Sequence, residues 1–190
     1  MIQLTRWPTR HIEFDDKGLV LLLVTLETGT TRPQASITAR SLLKKICVQL
    51  LDLNNTQLKL IEHEQGPYIA NSTISISVSY ANNMLLIGLS RHRRVGVDIV
   101  ALDCFTEIDN LAHLYLIHPS KIIDAPPKLK GRYFAQAWSE LEARGKSLGL
   151  PLCEMSPARA KILLTCELIE CEQIPGYHIA LARESCIPLH

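Results

Sequence analysis

One apolar run constrains the fold of this chain more than any other feature. It spans Gly18-Leu-Val-Leu-Leu-Leu-Val-Thr-Leu26, and a Thr-Gly-Thr turn ends it. A membrane-spanning helix needs about 20 apolar residues, so this run is too short to cross a membrane. Its length and the turn after it predict a buried strand. The rest of the 190-residue chain, which is 47% hydrophobic overall, has enough apolar material to build a core around that strand.

Apolar residues at helical spacing predict two long helices. The first follows Pro33 and covers about 34–52, and the second covers about 131–148, with Gly149 at its C-cap. A shorter helix is predicted over 105–118. The Asp-Ala-Pro-Pro segment at 124–127 separates it from the second long helix.

The remaining segments have the patterns of strands. Residues 57–100 predict two or three antiparallel strands, of which 74–79 alternates apolar residues with serine. Near the end, 161–169 and 177–182 predict a hairpin around a Pro-Gly turn. The order strand, helix, hairpin in the first half is therefore echoed by a helix and strands in the second half.

Charge limits the classes of partner. The formal net charge is +1, which is too small for a protein that follows nucleic acid by bulk charge. Residues 1–100 carry 11 basic and 8 acidic side chains, a net charge of +3, whereas residues 101–190 carry 9 and 11, a net charge of −2. This asymmetry is either chance or an anion-binding surface in the first half. The first residues lack the basic-then-apolar order of a signal peptide, so we expect a cytoplasmic protein that does not bind a membrane.

Asp98 is the lone carboxylate of the apolar segment Val95-Gly-Val-Asp-Ile-Val100. Asp is disfavoured in strands and is seldom buried unless it is paired or binds a cation. Two interpretations remain open: a residue at a frayed strand end that bonds a turn, or a functional carboxylate.

The segment Trp138-Ser-Glu-Leu-Glu-Ala-Arg-Gly-Lys146 places Trp138, Glu142 and Lys146 in one row of a helix. Taken alone, this row predicts a Glu–Lys surface pair beside a core tryptophan. Taken with Asp98, it predicts two hard oxygen ligands for one Mg²⁺, because Mg²⁺ takes one or two protein carboxylates and completes its shell with water and phosphate. Lys146 would then reach a phosphate as a point charge.

These two segments, about forty residues apart, resemble the 4′-phosphopantetheinyl transferases, and the surfactin-synthetase-activating type most closely. That family has G-[IV]-D and then W-[ST]-x-K-E-[AS]-x-x-K. The positions that match are Gly96, Asp98, Trp138, Ser139, Glu142, Ala143 and Lys146.

Three upstream segments support the resemblance and extend it over about residues 36–150. Thr38-Ala-Arg-Ser-Leu-Leu43 is similar to the family's A-[GA]-R helix. Gln65-Gly-Pro-Tyr-Ile69 is similar to its G-K-P turn, and Ile76-Ser-Val-Ser-Tyr-Ala81 is similar to its F-N-x-S-H-S strand end.

The resemblance implies a fold and an activity. The fold would be α+β, with two ferredoxin-like subdomains, 1–100 and 101–190, packed as a pseudo-dimer in a monomeric protein. The activity would be a Mg²⁺-dependent transfer of the 4′-phosphopantetheine arm of coenzyme A to a serine of an acyl, polyketide or peptidyl carrier protein. The basic first half and the 105–121 region are the expected surfaces for an acidic carrier.

The resemblance also implies roles for individual residues. Asp98 and Glu142 would bind the metal, Glu142 would help to deprotonate the serine, and Lys146 would contact phosphate. Arg40 would bind the 3′-phosphate of coenzyme A, because a guanidinium fork suits that group. Ser79 and Tyr80 would line the phosphate site, and Trp138 would pack in the core.

Four positions depart from the family pattern. Val100 replaces a second metal-binding Glu of many members, Tyr80 a His, and Gly66 and Leu141 each a Lys. These losses favour an alternative, a non-catalytic homologue that binds a carrier protein or coenzyme A. The basic cluster Arg91-His-Arg-Arg94, or Arg32, would compensate only by turning toward the ligand. A nucleic-acid module built on the same cluster is a third hypothesis, which the near-zero net charge and few aromatic residues disfavour.

Overall fold

The structure is a computed structural model that describes residues 1–51, 58–61, 63, 66–102 and 105–185. Within these residues the chain is a mixed α/β protein, compatible with the predicted α+β class. The elements follow in the order β1 (Thr5–Trp7), β2 (Leu19–Thr25), α1 (Arg32–Leu51), β3 (Leu60–Ile61), β4 (Tyr68–Ile69), β5 (Ser75–Ala81), β6 (Met84–Ser90), β7 (Val95–Ala101), α2 (Ile108–Tyr115), α3 (Ser120–Ile123), α4 (Pro127–Leu148), α5 (Pro157–Leu163), β8 (Glu167–Ile169) and β9 (Tyr177–Arg183).

The two larger sheets repeat one arrangement. The first sheet has the strand order β1-β2-β6-β5, and the second sheet has the order β7-β9-β8. Both β2-α1-β5-β6 and β7-α4-β8-β9 run strand, helix, hairpin, and in both the last strand lies between the other two. The predicted echo between the halves is thus present in the topology. The predicted boundary at residue 100 falls inside β7 and stays a prediction.

The sheets and the two long helices form four layers. One face of the first sheet packs against α1, in a core that includes Leu22, Ile87, Leu43 and Ile46. The other face packs against the second sheet, where side chains such as Leu21 meet those of β7 and β9. The far face of the second sheet is covered by α4. The apolar run in β2 follows from this position, because its alternate residues enter two different cores.

Local sequence sets the ends of the long helices. At the start of α1, the Thr31 N–H donates to Oε1 of Gln34 at 2.8 Å, as in a capping box. Helix α4 begins at Pro127, where a missing N–H costs nothing. It ends at Gly149, whose φ of 66° provides the left-handed C-cap that the sequence predicts.

Gly96 allows α4 to lie directly on β7. A Cβ at this position would be 1.9 Å from the carbonyl oxygen of Ala143 and 2.5 Å from the amide nitrogen of Ser147. Small residues continue the contact, with Ala143 packed against Ala180 and Ala182 of β9. This backbone-to-backbone contact sets the distance between α4 and the second sheet.

A row of serines joins the edges of the two sheets. Their hydroxyl oxygens, spaced two residues apart on β5, accept hydrogen bonds from alternate amides of β7 at 3.0, 3.0 and 3.4 Å. The pairs are Ser75 with Val95, Ser77 with Val97, and Ser79 with Ile99. We call this row the serine ladder. The predicted period-two alternation is confirmed, and the serine face lies at the junction between the sheets, with Ser77 and Ser79 buried.

Several other expectations need correction. Of the strands predicted in 57–100, β5 and β6 form an antiparallel hairpin, whereas β7 belongs to the second sheet. The short helix covers Ile108–Tyr115, less than the predicted 105–118. The predicted strand over 161–169 is wrong in its first part, where α5 continues to Leu163. The hairpin itself is confirmed, because β8 pairs with β9 in antiparallel fashion.

None of the helices in the described ranges is both long enough and apolar enough to cross a membrane.

The contact at Gly96 predicts a steric effect. We expect Gly96→Ala to destabilise the protein by about 3 kcal/mol, the upper range for overpacking, because two backbone atoms of α4 would have to move. Urea unfolding followed by circular dichroism measures this. Gly145→Ala is the matched control, since its Cβ would lie 3.4 Å from the Leu150 carbonyl oxygen, an ordinary contact. Equal stabilities of the two variants would contradict this account of the α4 contact.

The hydrogen bonds of the serine ladder are expected to contribute to the free energy of unfolding. Ser77→Ala would leave the buried N–H of Val97 without its acceptor and lower the free energy of unfolding by about 1–3 kcal/mol. Ser41→Ala, on the exposed surface of α1, is the control and should change it by less than about 0.5 kcal/mol. If Ser77→Ala matched Ser41→Ala, the ladder would contribute no stability.

Candidate active site

Asp98 lies in the middle of β7 and is only 5% exposed. Its Oδ1 accepts a hydrogen bond from the hydroxyl of Ser79 at 2.6 Å and another from Nζ of Lys146 at 2.7 Å. The interpretation of Asp98 as a residue at a frayed strand end is therefore wrong. It is a buried carboxylate, and its charge is compensated by one neighbouring strand and one helix.

Lys146 reaches Asp98 from the last turn of α4. Its Nζ also donates to the carbonyl oxygen of Val97 at 3.1 Å, so the ammonium lies against the backbone of β7. This reach depends on the close approach at Gly96, two residues before Asp98. The side chain of Lys146 keeps 29% of its surface exposed, against 8% for Asp98. Lys146 thus connects a buried carboxylate with the molecular surface.

Glu142 lies one helical turn before Lys146 and is half-buried. In the part of the chain that the structure describes, its carboxylate has no hydrogen bond or ion pair. Burial raises its pKa above the ordinary value, and the negative charge of Asp98 acts in the same direction. Lys146, Arg159 and Arg32 oppose this shift. A half-buried carboxylate close to a second one, with cations around both, is an arrangement typical of catalytic sites.

Asp98 and Glu142 suit a hard divalent cation by their chemistry. Both offer carboxylate oxygens, and the two protein contacts of Asp98 fall on Oδ1 rather than Oδ2. The described residues include no group of three or more His, Cys, Asp or Glu side chains able to hold a metal. A two-carboxylate site is enough for Mg²⁺, which keeps most of its water, but not for an ion that needs a full protein cage.

A cavity of about 520 Å³ opens beside Lys146. Helix α1 lines it with Arg32 and Arg40, β5 with Ser77 and Tyr80, and α4 with Lys146. Three cationic side chains therefore face one space whose volume is ordinary for a small-molecule site. The structure brings together three of the residues predicted to bind the cofactor, namely Arg40, Tyr80 and Lys146.

The other predicted site residues lie nearby but have different surroundings. Ser79 and Asp98 are buried and connect to the cavity through Lys146. Trp138 packs against Phe105, Tyr115 and Phe134, as expected for a core residue. The roles that the resemblance implies for all of these residues remain predictions.

The departures from the family pattern fall in two environments. Leu141 and Val100 are buried and apolar, and Leu141 belongs to the core that α4 forms with α2 and α3. Leu141 does not line the cavity that Arg40 lines, so the leucine at this position takes no positive charge away from that cavity. Tyr80 and Gly66 do line this cavity, together with Arg32. Arg32 and Gly66 thus lie in the wall of the same cavity.

Sequence reasoning missed two residues near Glu142 and the cavity. His63 lines the cavity from the segment before β4. Arg159 lies close enough to Glu142 to lower its pKa, and it also donates to the carbonyl oxygen of Pro151 in the loop after α4. The Ser-Pro pair at 156–157 is a helix start signal that the sequence analysis did not use. Nothing in the sequence, however, indicates that Arg159 lies beside Glu142.

Comparison of the sequence with protein-family models and with curated proteins finds no match.

The environment of Glu142 predicts a pH effect on stability. Its pKa in the folded protein is raised above 4.5, so the folded state holds its proton to higher pH than the unfolded state does. Wild-type stability should therefore fall, relative to Glu142→Gln, as the pH rises above the ordinary pKa of a glutamate. Thermal unfolding in a chelator measures this, with Glu140→Gln on another face of α4 as the control. Parallel pH profiles for wild type and Glu142→Gln would contradict the proposed burial.

Proposed function

We propose that this protein transfers the 4′-phosphopantetheine arm of coenzyme A to a serine of a carrier protein. The observation that carries the proposal is the position of Lys146. Its ammonium contacts Asp98, its helix carries Glu142, and its side chain lines the cavity that also holds Arg32 and Arg40. A phosphate-rich substrate beside a pair of carboxylates is the arrangement that this transfer requires.

The residues divide the work of the reaction. The serine hydroxyl of the carrier forms a bond to the β-phosphorus of coenzyme A, and the bond from that phosphorus to the oxygen of the leaving adenosine 3′,5′-bisphosphate breaks. Glu142 accepts the serine proton, directly or through a water. Lys146 and Arg40 hold phosphate groups by charge-assisted hydrogen bonds.

Asp98 and Glu142 would hold Mg²⁺ in this proposal. When bound, the ion would stabilise negative charge on the pyrophosphate oxygens. Ser79 would then orient Asp98 through the 2.6 Å hydrogen bond rather than touch the substrate. Lys146, which contacts Oδ1 in the structure, would turn toward the phosphates.

The fold is consistent with the proposal at a finer level. The repeated strand-helix-hairpin unit supports an assignment as two ferredoxin-like subdomains arranged as a pseudo-dimer. The cavity receives residues from α1 of one unit and α4 of the other. We further propose a monomeric, cytoplasmic enzyme that docks its acidic carrier on the basic first half or on the 105–121 region.

Transfer is tested by the intact mass of an apo carrier protein after incubation with this protein, coenzyme A and Mg²⁺. Fatty-acid, polyketide and peptide carriers should all be tried. We expect a gain of one phosphopantetheine, reduced at least about 100-fold by Glu142→Ala, in line with the usual contribution of a general base. Glu140→Gln, on the same helix, should transfer at the wild-type rate.

Two results would count against the proposal. If no carrier gains mass but wild type binds coenzyme A, the protein is the non-catalytic homologue, with Tyr80 and Gly66 as the suspected causes. If Glu142→Ala transfers as fast as Glu140→Gln, the carboxylate pair is not the catalytic site.

A further inference from the structure

A second cavity, of about 600 Å³, continues the first one along the protein surface. The two share four lining residues, His63, Gly66, Pro67 and Lys146. Beyond these, the second cavity is lined by the turn between β6 and β7, which contributes Arg93 and Arg94. The two cavities thus form one trough, with Lys146 at the junction.

Arg93 lines the wall of this second cavity. Its side chain is half-buried, and within the described residues its guanidinium makes no hydrogen bond and no ion pair. The pKa of Glu167 is lowered first by Arg183, whose Nη2 is already bonded to that carboxylate at 2.9 Å, and in smaller part by Arg93. Arginine carries five fixed donors and keeps its charge at any physiological pH. Donors that the protein leaves without acceptors, on the wall of a cavity, point to an anionic ligand.

Arg91 and Arg94, in the same turn, make contacts within the protein. Arg91 stacks on the ring of Phe14, with 4.4 Å between its Cζ and the ring centroid, and it lines a different cavity. The guanidinium of Arg94 donates to the carbonyl oxygen of Leu148 at 3.4 Å. Among the described residues, the second cavity is also lined by Glu184, which is exposed. Arg91 therefore faces Phe14 and a different cavity, whereas Arg93 faces the second cavity and makes no hydrogen bond or ion pair within the described residues.

We propose that Arg93 and the second cavity form an additional anion-binding subsite that takes a phosphate group of the ligand bound beside Arg40 and Lys146. This inference rests on the proposed function, because it takes coenzyme A as that ligand. The subsite would supply the positive charge that Gly66 and Tyr80 do not. Arg93 is then a binding residue that sequence comparison with the transferase family does not assign.

Isothermal titration of coenzyme A and of inorganic pyrophosphate tests the subsite without any carrier protein. We expect Arg93→Gln to weaken coenzyme A binding about tenfold, the usual effect of losing a hydrogen bond to a charged group. Arg91→Gln is the matched control, from the same turn and with the same loss of charge. It should bind like wild type, because Arg91 faces Phe14.

Dephospho-coenzyme A, which lacks the 3′-phosphate, identifies the group that Arg93 holds. If the effect of Arg93→Gln persists with this ligand, the group belongs to the pyrophosphate, and if the effect disappears, it is the 3′-phosphate. Equal binding of coenzyme A by Arg93→Gln and Arg91→Gln would overturn the inference, and so would a wild type that binds neither coenzyme A nor pyrophosphate. Pyrophosphate binding that depends on Arg93, without coenzyme A binding, would keep the subsite and remove the proposed function.

Discussion

The contact between α4 and β7 at Gly96 is the constraint on which the rest of the structure depends. Because this residue has no side chain, the backbones of the helix and the strand touch. The same approach brings Lys146 within 2.7 Å of a carboxylate in the middle of the strand. Packing and chemistry therefore share one cause. A larger residue at this position would therefore disturb the pairing of the buried Asp98 carboxylate with Lys146 as well as the packing of the helix on the strand.

The two carboxylates near this contact differ in how well their charges are compensated. Asp98 is compensated by Ser79 and Lys146, whereas Glu142 is half-buried beside it without a partner among the described residues. A fold selected only for stability would not keep a carboxylate in such a position, because burial disfavours its charged form. The imbalance is understandable if the site must accept a cation or a proton from outside the protein.

Much of the fold could be predicted from local patterns, and the parts that could not be predicted depend on partners distant in sequence. The periodicity of α1 and α4 and the alternation in β5 each identified their element, because one face of each meets a core. The assignment of β7 to a second sheet could not be derived, since an apolar run has no information about which strand it pairs with. The same limit explains α5, where Lys161 and its neighbours have a pattern that suits a short helix or a strand.

At the site, spacing alone placed Glu142 and Lys146 on one helical row. Their closeness to Asp98 was predicted from the ligand preference of Mg²⁺ and from the family resemblance rather than from spacing. The surroundings of Arg93 and Arg159 became visible only in three dimensions.

The serine ladder has a consequence for how the two sheets find their alignment. Side chains on a strand alternate with a period of two, so sliding β5 by one residue along β7 would present Ile76 and Val78 to the amides that the serines now satisfy. Three buried donors would lose their acceptors at once, and two apolar side chains would leave the core. Hydroxyl groups at every second position therefore favour the observed register over a register shifted by one residue. The position of Asp98 relative to the cavity wall on β5 therefore depends on bonds from serine side chains to the β7 backbone. In most sheets, backbone-to-backbone pairing aligns neighbouring strands instead.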